Sequence, residues 1–281
     1  MIPGVRRACE AAGRTMARFW KERTWRMAAA ITFYALLSLG PLLALELQLA
    51  GYLMDQGEFQ DRVLAVLEKA VGDEGADAVE DLLDNFDLPQ SGWWSYGIGL
   101  YMLLFGGVNA VAQLRESMRT IWRDETSESD GRSGWLQTLT DAGFVFFFGV
   151  ILLASVLLNS VLIYARSSVE SDIPGGYVVL RLVDFSVSIG VLAVVFAVIF
   201  RVLPSKKLPW RSVATGAVAT ALLFMVARFL MILWLAHADI GSVYGSLTFF
   251  IVLMFWVYVS AQLLLFGASF TYEVNDIREA E

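Results

Sequence analysis

Along the chain, apolar residues gather into long runs separated by short clusters of charge. A helix needs about 20 mostly apolar residues to cross the hydrocarbon core of a bilayer, at about 1.5 Å per residue. Six runs reach that length: Ala28 to Met54, Trp93 to Leu114, Ala142 to Ala165, Val178 to Leu203, Val213 to Ala236 and Val243 to Phe270. They predict an all-α polytopic protein, a bundle of six transmembrane helices forming a single membrane domain over residues 1–281. Residues 1–27 form a basic segment ahead of the first run. A signal peptide would carry an apolar stretch of only about 7–15 residues. The run from Ala28 is far longer and holds Pro41, so it reads as a retained first span.

A different pattern fills residues 55–90, between the first two runs. Phe59, Val63, Val66, Leu67 and Ala70 recur at helical spacing, as do Ala76, Val79, Leu82, Leu83 and Phe86. Two short amphipathic helices divided by Gly72 and Gly75 are expected there. The segment carries 11 acidic residues against Arg62 and Lys69. It reads either as a solvated cap over the spans or as a docking surface for an envelope protein partner.

Composition agrees with the pattern. Of 281 residues, 57% are apolar and 17% charged, where a soluble globule has roughly half and a quarter. A net charge of −7 and an isoelectric point near 4.9 argue against a nucleic-acid partner. Cys9 has no second cysteine to pair with, and one cysteine with one histidine argues against a zinc site. No metal and no cofactor is expected.

Basic residues set the orientation of spans, counted without regard to acids. Sixteen of the 21 fall in the N-terminal segment, after spans two and four, and in the tail. Only Arg62, Lys69 and Arg166 fall on the other side. Both termini are therefore expected in the cytoplasm of a bacterial inner membrane, with loop 55–90 outside. The net −7 then resolves into +4 on the cytoplasmic side, −11 outside and zero within the spans.

Three stretches resemble a known family. Ala28 through Thr32, Tyr34 and Ser38 to Pro41 is similar to the "AxxxAYYxLLSLxP" opening of the YihY/BrkB family of bacterial inner-membrane proteins. Arg201-Val-Leu-Pro204 followed by Trp210 resembles its "RxLP…W" loop. Val243-Tyr-Gly-Ser, continuing through Trp256, Tyr258, Ser260 and Gly267 to Glu273, resembles its closing helix. A fourth stretch, Leu114 to Trp122, is similar to the family's "LxDALNRIW", with Arg119 where an asparagine is usual. The resemblance implies a six-helix inner-membrane fold. Names in the family refer to virulence and to an old ribonuclease label, and roles proposed for it range from transport to envelope lipid handling.

Ionisable groups within a span cost about 2.5–3.5 kcal/mol each on the insertion scale, so they pair or face a cavity. Glu46, Arg181, Asp184 and Arg228 are of this kind. At 1.5 Å per residue, Glu46 lies about 27 Å beyond Ala28 and Arg228 about 22 Å beyond Val213. Arg181 and Asp184 share one face in the first turns of span four. All four fall in the outer half, and Asn159 in span three belongs to the same layer. One reading is a substrate-binding pocket in which Arg181 and Arg228 hold an anionic headgroup or carboxylate, with Glu46, Asp184 and Asn159 around them. The other is a set of interhelical ion pairs or snorkelling side chains. Tyr34, Ser38 and Pro41 are candidate pathway-lining residues where proline interrupts span one, or ordinary packing. Gly97, Gly99, Gly106, Gly107, Gly241 and Gly245 read as close helix contacts.

No H-E-x-x-H, G-x-S-x-G or Walker-type loop occurs in the chain, and His237 stands alone, so the protein is not expected to be an enzyme. The expected function is transport or handling of an envelope substrate. An anionic lipid or lipid-linked molecule is favoured, and a small solute or ion comes second. A membrane scaffold working through loop 55–90 is the alternative, and a membrane-embedded enzyme a distant one. Membrane lipids are the expected partners.

Overall fold

The structure, a computed structural model, describes residues 3–53, 93–123, 139–146, 176–204, 206–237 and 248–279. All its elements are helical: α1 Pro3–Lys21, α2 Thr24–Leu53, α3 Trp93–Trp122, α4 Gly176–Val202, α5 Trp210–His237 and α6 Thr248–Glu279, with a helical segment over 139–146. Loop 55–90 and all of the third predicted span except residues 142–146 lie outside the described residues. Among the described residues three helices are long and apolar enough to cross a membrane: Gly97–Trp122, Trp210–Leu235 and Phe250–Glu279. Phe229, Ile232, Tyr101 and Phe33 leave more than half their surface uncovered. Apolar exposure on that scale needs a bilayer rather than water as solvent.

For α3 and α6 hydropathy finds the helix and underestimates its length. α3 continues past Leu114 to Trp122, and α6 past Phe270 to Glu279. In both extensions the pattern turns amphipathic. Phe270, Val274 and Ile277 stay buried while Asp276 and Arg278 are exposed. The basic N-terminal segment, where hydropathy marks no element, folds as α1. It ends at Lys21, and Arg23 in the turn that follows has a left-handed φ of 52°, as Arg123 has after α3 with φ 50°. That conformation usually falls to glycine at a helix C-terminus. Pro204 ends α4 because it has no N–H for the next bond.

The chain divides into two compact units. One comprises Ala28–Gln113 and Val226–Ala261. Within it α2 meets α3 at Gly106, where an added methyl would lie 2.7 Å from Ser38 N and 2.9 Å from Tyr34 O. Side chains do not separate the two backbones there. Gly97 and Gly99 have open space around them, which corrects the packing reading for these two.

The other unit comprises Met1–Met27, Leu114–Met225 and Gln262–Glu281 and contains most of the buried apolar side chains described, among them Met118, Ile121, Trp122, Phe200 and Leu265. Its centre is the antiparallel crossing of α5 and α6. Three pairs, each one helical turn from the next, fall in register. The Ser212 hydroxyl donates to Asn275 Oδ1 at 3.2 Å. Gly216 lies under Thr271, and Gly267 under Thr220, so closely that a methyl on either glycine would overlap the opposing threonine. Small residues every four positions on both helices allow backbones to approach in this way. Each threonine satisfies its own hydroxyl one turn back, Thr220 on Gly216 O at 2.7 Å and Thr271 on Gly267 O at 2.8 Å. No polar group is stranded in the contact.

Gly216→Ala and Gly267→Ala should each destabilise the protein by about 1–3 kcal/mol through overpacking. Gly97→Ala should be neutral or slightly stabilising, since alanine is the better helix former. Thermal unfolding of the purified variants in one detergent checks the contrast.

Candidate functional site

The described charges converge on Arg18, near the end of α1. Its Nη2 meets Glu273 Oε1 on α6 at 2.8 Å, and its Nη1 donates to the Ile121 carbonyl at 2.9 Å. That carbonyl belongs to the last turn of α3, where no amide of the helix remains to bond it. The guanidinium also completes the negative end of the helix dipole. Its flat face lies 4.7 Å from the centre of the Tyr272 ring, whose centre is 5.1 Å from Lys206 Nζ. Glu22 approaches Arg18 Nε at 4.0 Å. The Arg18 and Glu273 side chains are 13% and 4% exposed, so this is a largely desolvated pair.

Neighbouring contacts fix the elements that carry it. Trp122, fully buried, donates its indole N–H to the Ala268 carbonyl at 2.9 Å and ties the end of α3 to α6. Ala11 packs with Phe270, Val274 and Ile277, and Phe19 meets Phe266 with ring centres 6.2 Å apart. These apolar contacts seat α1 on the face of α6 that presents Glu273. After α4, Lys207 Nζ donates to the carbonyls of Arg201 at 3.0 Å and Pro204 at 3.1 Å. Arg201 donates to the Leu208 carbonyl and stacks over Trp210, its guanidinium 5.3 Å from the ring centre. The Arg201, Pro204 and Trp210 signature is therefore a closed loop that aims α5. Arg119, at the position where the sequence departs from the family's stretch, pairs with Glu116 at 2.9 Å.

Two acids have carboxyls held above their ordinary range. Burial pushes Glu22 up, opposed by Arg18, Arg123 and Lys21. Burial pushes Asp141 up as well, opposed by Arg115, whose Nη2 lies 2.5 Å from Asp141 Oδ1. Glu22 Oε2 is buried without a hydrogen bond. Among the described residues no group of three or more His, Cys, Asp and Glu side chains is placed to hold a metal.

The site residues expected from sequence are placed differently. Arg228 is described and stands exposed on α5. Glu46 falls on α2, and Arg181 and Asp184 on α4, but their side chains lie outside the described residues, as does all of Asn159. Tyr34 and Ser38 sit at the α2 crossing with Gly106, the Tyr34 ring 6.4 Å from that of Phe105, and Pro41 is half-buried without ending α2. Sequence reasoning missed Arg18 and Glu273. Arg18 counted only as one of many orientation charges, and 255 positions separate it from Glu273. The local signals were the place of Glu273 at the end of the quoted closing stretch and its setting in the apolar stripe of Phe270, Val274 and Ile277.

Arg18→Ala leaves Glu273 buried without its cation and should cost about 3 kcal/mol or more. Glu22 behaves oppositely. Its carboxyl is raised from 4.5, so folding favours the protonated form. The stabilising effect is fully present below the unfolded pKa and is lost as pH rises through the raised value. Glu22→Gln should accordingly raise the melting temperature at pH 7 by roughly 1–3 °C, with the gain shrinking towards pH 4. Melting curves of both variants at pH 4 and pH 7 check the two signs.

The family described as Virulence factor BrkB matches residues 15–281 of this chain. A UPF0761 membrane protein of Tolumonas auensis is 29% identical over 264 residues, covering 92% of this chain and 83% of that protein. A UPF0761 membrane protein of Nitrosospira multiformis is 26% identical, covering 95% of this chain and 61% of its own longer sequence. One of Idiomarina loihiensis is 23% identical, covering 92% and 88%. No solved structure matches.

Proposed function

The chain belongs to the Virulence factor BrkB family, a membrane protein by its apolar helices and its relatives' names, and from that premise we propose that it moves or handles an anionic lipid or lipid-linked molecule of the cell envelope. The observation that carries this reading is Arg228. It stands exposed on α5 among the exposed side chains of Val226, Phe229, Leu230 and Ile232. A guanidinium on a lipid-facing apolar surface costs several kcal/mol unless it snorkels to the interface or an anion meets it. A phosphate accepts two parallel N–H bonds from arginine and fits that need.

The finer topology belongs to the same reading. Six spans with both ends in the cytoplasm of an inner membrane satisfy the bias of sixteen basic residues to one side. Arg228 then lies in the outer half. The Arg18 cluster lies at the cytoplasmic face. A small solute or ion remains the second substrate class.

Purified protein in liposomes carrying fluorescent phosphatidylglycerol or phosphatidylcholine, assayed by dithionite quenching, tests the proposal. Headgroup exchange of the anionic lipid should exceed that of the zwitterionic one. Arg228→Ala should slow it by about tenfold, the worth of one charge-assisted bond, and Arg228→Lys should retain part of the rate. Equal rates for both lipids, or an inserted Arg228→Ala protein that keeps the full rate, would sink the reading.

A further inference from the structure

The N-terminal helix has three sides, of which the contacts so far described use two. Ala11 and Thr15 are buried, with Ala11 in the apolar cluster of α6, and Phe19 packs on Phe266. The polar side carries Glu10, Arg14 and Arg18 together with Lys21, Arg14 pairing with Glu10 at 2.7 Å and with Asp276 at 3.5 Å. The third side is apolar and uncovered. Met16 and Trp20, one turn apart, are 52% and 67% exposed. Ala12 and Gly13 are exposed beside them, and a methyl placed on Gly13 would meet nothing within 4 Å. A helix of this kind in water would turn its tryptophan inward.

We infer that this face of α1 docks on the anionic headgroup layer of the membrane that the chain itself spans. Two observations select that occupant over a protein partner. The first is continuity. Only Glu22 and Arg23 separate α1 from α2, and the apolar run of α2 opens at Ala28, eight residues after Trp20. Trp25, between them, is also exposed. The stripe is therefore separated from the apolar run of α2 by only a few residues of chain. The second is charge. From Pro3 to Arg26 the chain carries Arg6, Arg7, Arg14, Arg18, Lys21, Arg23 and Arg26 against Glu10 and Glu22. Arg18 is committed to Glu273, while Lys21, Arg23 and Arg26 are exposed. An apolar stripe bearing tryptophan with flanking basic residues is how a helix lies in the interface and selects anionic lipid. The inference concerns a surface distant in sequence from Arg228 and stands whether or not the protein translocates lipid.

The test is spin-label accessibility in the full-length protein. In a Cys9→Ser background, nitroxides are attached at Trp20→Cys, Met16→Cys and Glu10→Cys, and the protein is placed in nanodiscs of phosphatidylcholine alone or with one quarter phosphatidylglycerol. Positions 16 and 20 should favour collision with oxygen over a water-soluble nickel chelate, by about threefold relative to position 10, as for side chains immersed at the headgroup boundary. The preference should strengthen with phosphatidylglycerol and weaken in high salt. Two labels one turn apart guard against a variant that fails to fold. Equal accessibility at positions 10, 16 and 20 overturns the inference, as does immersion indifferent to lipid charge. Exclusion of both reagents at positions 16 and 20 would place a protein there instead and overturn it too.

Discussion

Within its unit, the crossing of α5 and α6 sets the positions of the other parts. Ser212, Gly216 and Thr220 meet Asn275, Thr271 and Gly267 in an antiparallel register with one pair per turn. Because two of the pairs set a glycine under a threonine, the backbones approach more closely than larger side chains would permit. The contact gains from dispersion at short range, which matters where lipid offers apolar side chains as good an environment as protein does. With that edge of α6 fixed, the other edge has a definite address. Phe266, Phe270, Glu273 and Ile277 turn towards α1, and the Ala268 carbonyl lies where Trp122 can reach it.

On this frame Arg18 resolves three separate demands. The last turn of α3 needs a donor, the buried Glu273 needs a cation, and Tyr272 presents a ring face. A lysine would meet one of these demands as a point charge. A guanidinium meets all of them because its donors diverge in a plane and its face stacks. Glu22 shows the other side of the balance. It shares Arg18 at longer range and leaves one oxygen without a hydrogen bond, so burial outweighs attraction and its carboxyl is raised. The α1 helix is held to the rest of its unit by this clasp and by a small apolar seam, leaving Met16 and Trp20 uncovered.

Much of the architecture was legible because a bilayer imposes a coarse and unambiguous requirement. Long apolar runs must be helices, since no water is present to satisfy a free backbone. The all-helical class, the membrane character and the family followed from the runs and from the quoted motifs. Hydropathy was blind to α1 and to the extensions of α3 and α6, where amphipathic helices average out to ordinary polarity. The role of Trp122 stood in a recognised stretch, but its partner Ala268 is 146 positions away. The small residues at 212, 216, 220, 267 and 271 were visible in the sequence, yet spacing alone did not distinguish them from Gly97 and Gly99, which meet nothing.

The sequence by itself determined the solvent and the helical state of the described apolar runs, because both depend on composition averaged over about 20 residues. Only the tertiary structure decided which glycines carry a crossing, that Arg18 rather than any other basic residue closes the end of α3, and which side of α1 is left without protein cover. Those outcomes rest on register between helices distant in the chain. Register is fixed by the shape of single side chains, and an average over a window carries no trace of it.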